Sequence, residues 1–151
     1  MIITFCGHAQ FAKTKEYERK ILDFLERHIG NSPADCYLGD YGEFDHFAYD
    51  CCKKYKASHP DVSLILITPY ITAPNQHNRL TSQKQLYDGI IYPSLENKPL
   101  KFAISYRNRW MVEQADAVIC GISHPWGGAY QTYQHAKRKG KPIFNVTGMI
   151  F

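Results

Sequence analysis

Apolar residues along this chain switch between the tight spacing of strands and the three-to-four spacing of helices. Residues 2–6 (Ile-Ile-Thr-Phe-Cys) form a short β-rich run that breaks at Gly7-His8, a first strand running into a loop. Tyr17, Ile21, Phe24, Leu25 and Ile29 then recur at helical spacing until Gly30-Asn31-Ser32-Pro33 stops them. Residues 36–38 read as a second strand, and Phe44, Phe47, Ala48, Cys51 and Tyr55 as the apolar stripe of a second helix ending near His59-Pro60. Residues 62–68 (Val-Ser-Leu-Ile-Leu-Ile-Thr) are almost continuously apolar, as in a central parallel strand covered on both faces.

The second half is less regular. Residues 71–97 are polar and interrupted by Pro74, Gly89 and Pro93, which predicts a loop with short helical pieces, suited to a lid or flank of a site. Phe102, Tyr106, Trp110 and Met111 fit a helix closing at Gln114. Residues 117–122 form the next strand, residues 129–139 a final helix stopped by Gly140, and residues 143–146 a last strand. Strands alternating with helices of this length predict an α/β fold of three layers, with helices on both faces of a mostly parallel central sheet.

At 151 residues the chain fits a single domain, and 44% hydrophobic with 21% charged residues is ordinary globular composition. The formal charge of +4 suits an anionic small ligand but is not the concentrated basic face of a dedicated nucleic-acid binder, so it argues against a nucleic-acid partner. Lys53, Lys54 and Lys56, and likewise Lys137, Arg138 and Lys139, read as helix C-terminal cations. Five cysteines without a C-x-x-C pair and a start without a signal peptide predict reduced thiols in the cytoplasm, and no apolar run approaches the ~18 residues of a membrane span. The seven histidines show no paired ligand spacing, so no metal site is expected. No cofactor is expected either.

The candidate chemistry lies in the turns. Gly39-Asp40-Tyr41-Gly42-Glu43-Phe44-Asp45 puts two glycines before a helix, where backbone N–H groups can approach an anion; the alternative is a tight turn with Asp45 as a first-turn acid. Trp126-Gly127-Gly128-Ala129 repeats the arrangement after a strand, and in an open sheet both turns and Gly7-His8 would converge on one rim. Arg107 shares a helix face with Met111, whereas Arg109 pairs at the same spacing with Glu113, so Arg107 is the ligand candidate. The predicted binding set is Gly7, His8, Gly39, Tyr41, Gly42, Asp45, Arg107, Asn108, Trp126, Gly127, Gly128 and Tyr130. Trp126 and Tyr130 are expected to stack on a base or cap a ribose.

Arg107, Met111, Ala115 and Asp116, in the arrangement R-x-x-x-M-x-x-x-A-D ahead of an apolar strand and a Gly-Gly turn, give the chain a resemblance to the SLOG superfamily. This groups the Lonely-guy phosphoribohydrolases, the DprA/Smf proteins and the YpsA-like proteins. The resemblance spans nearly the whole chain, and Gly7-His8 with residues 39–45 is most similar to the YpsA-like branch. It implies a Rossmann-like fold that binds nucleotides or ADP-ribose derivatives.

In the phosphoribohydrolases the turn reads P-G-G-x-G-T-x-x-E, and its glutamate works with the arginine of the other element to cleave an N-glycosidic bond. Here Gly127-Gly128 is followed by Ala129, Tyr130, Gln131, Thr132, Tyr133 and Gln134, with no carboxylate in the glutamate's place. The leading expectation is therefore a module that binds a nucleotide or nucleotide-derived ligand to sense or sequester it. A nucleoside 5'-monophosphate N-glycosidase with a carboxylate drawn from Glu43, Asp45, Asp88 or Glu113 is the enzymatic alternative, and single-strand nucleic-acid binding by analogy with DprA is a third reading. A homo-oligomer is expected from the relatives' habit.

Overall fold

The computed structural model describes residues 1–70 and 82–151. Among the described residues the elements follow one another as β1 (Ile2–Gly7), α1 (Lys15–His28), β2 (Ala34–Leu38), α2 (Glu43–Lys56), β3 (Val62–Ile67), β4 (Gly89–Ile91), α3 (Ala103–Gln114, preceded by a 3-10 turn at Leu100–Phe102), β5 (Ala117–Gly121), α4 (Gly128–Arg138) and β6 (Ile143–Asn145). The strands pair in the order β4-β3-β2-β1-β5-β6, and every pairing is parallel.

Two-residue alternation along the strands produces the layers. On β1, Ile3 and Phe5 face α1 and α2 and join Ile21, Phe24, Leu25, Phe44, Phe47 and Cys51 in one core. Cys6 faces the other way, where Val118 and Cys120 of β5 meet Val112 of α3 and Tyr133 and Ala136 of α4. A third cluster, Tyr37, Ile67 and Met111, seats α3 over β2 and β3. The three-layer α/β architecture expected from the alternation, Rossmann-like as the resemblance implies, is thus present.

Local signals act where the sequence puts them. Thr14 caps α1 by accepting from the Tyr17 N–H at 3.0 Å, and Gly30, at φ +56°, turns the chain out of its last turn. The ring of Phe44, at the start of α2, lies flat against Gly7 and Gly121, where a Cβ on either would overlap it. That contact presses the start of α2 onto the carboxyl ends of β1 and β5.

Two expectations need correction. Residues 71–97 were expected to form a loop with helical pieces; of these, residues 71–81 lie outside the described residues, and the remainder contains the edge strand β4. Three half-buried residues are too few to show a period, and β4 is held by its neighbours: Asp88 accepts from the Leu64 N–H at 2.8 Å and from Lys56 Nζ at 2.6 Å. Phe102, expected in the apolar stripe of α3, is 47% exposed, and the buried stripe is instead Ala103, Arg107, Met111 and Val112. Among the described residues no helix is long and apolar enough to cross a membrane.

Candidate functional site at the sheet switch point

From β1 the chain runs through α1 to β2 on one side, while β5 occupies the other side and leads into α4. Neighbouring strands whose connections diverge leave a crevice at their carboxyl ends, the usual ligand position in open parallel sheets. A cavity of about 490 Å³ occupies it, walled by Gly7–Gln10 at the end of β1, Tyr41 and Asp45 at the start of α2, Ile104, Ser105, Arg107 and Asn108 on α3, and His124 with Gly127–Ala129 at the start of α4.

His8 is buried on the inner wall. Its Nε2 accepts from the Ser123 N–H at 3.1 Å, which leaves the ring proton on Nδ1, and its ring stacks on His124 at 3.6 Å. Burial, and secondarily the neighbouring His124, hold its pKa below the ordinary 6.5, so the ring is a neutral Nδ1–H donor at neutral pH. His124 in turn stacks on Trp126 at 4.0 Å, and Trp126 is 64% exposed. Three rings therefore run from the cavity wall to solvent. His124 escaped sequence reasoning because nothing in its spacing marks it; only the fold of its loop brings it over His8.

Arg107 is 1% exposed, with its guanidinium spent on the protein: Nη1 donates to the Ile67 carbonyl at 2.9 Å and Nε to Asn108 Oδ1 at 2.8 Å. Asp45 lies beside it, its Oδ2 accepting from the Tyr41 N–H at 2.9 Å. Burial pushes the Asp45 carboxyl up to about 6, although the Arg107 charge and the Tyr41 hydrogen bond pull it down. Gly39 makes room for the pair, since a Cβ there would stand 2.7 Å from Asp45 Oδ2 and 3.1 Å from Arg107 Cζ. Gly39 thus lies behind the wall rather than in it.

The two glycine turns differ. At α2, Gly42 is packed against Ala9, the Glu43 N–H donates to the Ala9 carbonyl at 2.8 Å, and the Glu43 carboxylate reaches back to the Phe11 N–H at 3.0 Å. At α4 the first turn carries no acid, and among the described residues no side chain caps it and nothing lies within 4 Å of where a side chain on Gly127 or Gly128 would begin. An open helix start free of carboxylates favours a bound anion. Its loop is braced from behind by Asn145, whose amide bonds both the N–H and the carbonyl of Ile122 at 3.0 and 2.9 Å, another contact with no local signature.

Of the predicted set, Gly7, His8, Tyr41, Asp45, Arg107, Asn108, Gly127 and Gly128 come together on the cavity. Gly39 and Gly42 sit behind it, and Trp126 at its outer lip. Tyr130 is elsewhere: its hydroxyl bonds Gln134 and its ring packs against Tyr133 and Phe151. Asp116, part of the motif that suggested the family, lies at the opposite end of the sheet, where its carboxylate accepts from the Ile2 N–H at 2.8 Å. Among the described residues no group of His, Cys, Asp or Glu could hold a metal ion.

The sequence matches no family model, and no curated protein matches it. Solved structures that share its fold include two DNA processing proteins. DNA processing protein A from Helicobacter pylori, described for its unique single-stranded DNA binding mode, superposes with a TM-score of 0.61 at 19% identity, covering 96% of this chain and 64% of that one. DprA from Streptococcus pneumoniae gives a TM-score of 0.62 at 18% identity over 95% of this chain and 49% of that one, so this chain spans 49% to 64% of the length of those proteins. DprA is a SLOG member, which agrees with the resemblance at the level of fold; neither match singles out the YpsA-like branch. The charge-based argument against a nucleic-acid partner is overturned by this likeness to a protein that binds single-stranded DNA. Charge summed over a chain is a weak guide where a few cations along one rim can meet the phosphates.

Proposed function

We propose that this protein is a nucleotide-binding module of SLOG type, whose switch-point cavity receives the phosphate of a nucleotide unit, free or within a strand, at the start of α4. The observation that carries this reading is the open, acid-free helix start at Gly127–Gly128 facing a cavity of about 490 Å³. Backbone N–H groups and the helix dipole there would hold the phosphate. The neutral Nδ1–H of His8 and the amide of Asn108 supply polar contacts to sugar or base. Fold likeness to DNA processing protein A is a second, independent support for a nucleotide-bearing ligand.

The test is a thermal-shift and calorimetric panel of nucleoside mono-, di- and triphosphates, ADP-ribose and a short oligonucleotide, on wild type and Gly128→Asp. Ligand at 100 times its dissociation constant stabilises by about 2.7 kcal/mol. A shift in wild type that vanishes in Gly128→Asp supports the reading; equal shifts in both proteins, or none in either, sink it. Arg107→Ala is the poorer control, because it strips a buried carboxylate of its partner.

One observation favours an enzymatic second reading, hydrolysis of the N-glycosidic bond of a nucleoside 5'-monophosphate. Asp45 brings a carboxyl whose pKa is near 6 to the same cavity as the glycine turn, the sort of group that can pass a proton near neutral pH. Release of free base by wild type and its loss in Asp45→Asn would support it. Intact nucleotide after prolonged incubation with wild type would rule it out.

A further inference from the structure

A cavity of about 300 Å³ lies between α2 and the residues that lead into β4, and it shares no lining residue with the switch-point cavity. His46, Tyr49 and Asp50, three and four apart on one face of α2, line it together with Asp40, Gln83, Leu86 and Tyr87. Gln83 is 6% exposed, and the two ends of its amide are in different states. Nε2 donates to Asp40 Oδ2, which fixes the end that carries the oxygen, because turning the amide over would set two acceptors against each other. Oε1 is buried and, among the described residues, accepts from nothing. A buried acceptor left unmet is costly, and folded proteins keep few.

The rest of the lining says what kind of donor would meet it. Its described residues include two carboxylates, Asp40 and Asp50, and no lysine or arginine. Helical spacing offers Asp50 two cations, but Lys54 is drawn to Glu18 at 3.2 Å and Lys53 stands over the Tyr49 ring, 6.0 Å from its centroid. The rings of Tyr49 and Tyr87 meet edge to face at 5.1 Å, and the Tyr49 hydroxyl is spent on the Leu86 carbonyl at 2.9 Å, so it does not serve Gln83.

We propose that this cavity binds a small primary ammonium, of the class of alkyl amines and diamines. The ammonium donates to Gln83 Oε1, the Asp40 and Asp50 carboxylates balance its charge, and its alkyl stem packs on Tyr49, Leu86 and Tyr87. Each feature narrows the class. The carboxylates select a cation, the rings and Leu86 favour an organic one, and the unmet oxygen requires an N–H, which a quaternary ammonium lacks. A divalent metal fits less well, since it needs six or more oxygen ligands and no group of three His, Cys, Asp or Glu is gathered for it among the described residues. The site goes beyond the proposed function and stands whatever the switch-point cavity binds.

The test is calorimetry on the whole chain at low salt with butylammonium, putrescine, choline and Mg²⁺, using wild type, Gln83→Leu and Asp50→Asn. Wild type is expected to bind butylammonium and putrescine about tenfold more tightly than choline, because only the primary ammonium meets the buried oxygen. Gln83→Leu should erase that preference. Asp50→Asn, a change on the exposed side of α2 that keeps the fold, should weaken both amines by about two- to fivefold. Choline held by wild type as tightly as butylammonium overturns the proposal. So does Mg²⁺ that the amines fail to displace, amine affinity unchanged in both variants, or no binding of either amine. If Gln83→Leu fails to fold, Asp50→Asn decides alone, and unaltered amine affinity in it overturns the site.

Discussion

Helices α2 and α4 begin alike: each follows a parallel strand, and each is preceded by a glycine in almost the same backbone state, φ 97° and ψ 174° at Gly42, φ 94° and ψ 174° at Gly127. Their surroundings differ. The start of α2 is closed by the protein's own groups, with Glu43 and Asp45 as acids of the first turn, Ala9 packed on Gly42, and Arg107 buried beside Asp45. The start of α4 has no acid in its first turn and, among the described residues, nothing within 4 Å of the Cβ position of either glycine. A glycine turn thus supplies the geometry for an anion site, and the neighbouring carboxylates decide whether the protein or a ligand fills it.

The contrast can be broken most severely from the closed side. Arg107→Met strands the Asp45 carboxylate in the core, and an unpaired buried charge costs about 3–5 kcal/mol; urea unfolding at pH 7 should show a loss of that order, partly recovered in Arg107→Met/Asp45→Asn. If the single variant matched wild type, the guanidinium would not be the partner that Asp45 depends on.

Alanine at each cap separates backbone strain from packing. Both positions lie in a region that only glycine adopts freely, at a cost of about 1–3 kcal/mol. At Gly42 the added Cβ would also stand 2.5 Å from Ala9 Cα, whereas at Gly127 it would meet open space. Gly42→Ala should therefore be the more damaging by about 1–3 kcal/mol, and equal melting temperatures would mean that the two turns are equally open.

The closed turn should also titrate. The folded chain holds a proton on Asp45 up to about pH 6, while the unfolded chain releases it near the ordinary 3.8. Between about pH 4 and 6 the folded state binds more protons, so raising the pH through that window weakens folding, by a contribution on the order of 2–3 kcal/mol from this group. Denaturation midpoints measured across the window should fall less steeply in Asp45→Asn than in wild type. Parallel profiles would place the carboxyl in solvent-like surroundings.

The smallest stability effect is expected on the open side and is paired with a large functional one. Gly128→Asp adds a favourable first-turn acid and should stabilise the fold by a few tenths to about 1 kcal/mol. It should also remove the nucleotide-induced melting shift. Retention of that shift would show that the ligand's charge sits elsewhere.

The order of strands and helices was legible because burial imposes a period on the sequence: two along β1, where Ile3 and Phe5 face one way and Cys6 the other, and near four along α3, where Arg107 and Met111 share a stripe. Strand β4 was not legible, since a three-residue edge strand owes its pairing to Asp88 and Leu64 rather than to its own pattern. Both glycine turns and Arg107 could be picked out as candidates from residue type and spacing. Which of them faces a ligand could not. Arg109 was read as half of a helical ion pair, and only the packing of α4 against α3, which gives Glu113 to His135, leaves it on the groove between those helices.

Local chemistry is written in neighbouring residues, so the chain alone specified a parallel three-layer fold, glycine-capped helix starts and a basic residue on the face of α3. Occupancy depends on what long-range packing brings near. Ala9 reaching Gly42, Asp45 turning back under Arg107, His124 folding over His8, and the emptiness around Gly127 and Gly128 arise only once distant segments meet. Tertiary structure made one turn part of the core and left the other open: the buried start of α2 has its N–H groups met by surrounding protein, whereas at the exposed start of α4 no side chain among the described residues caps them.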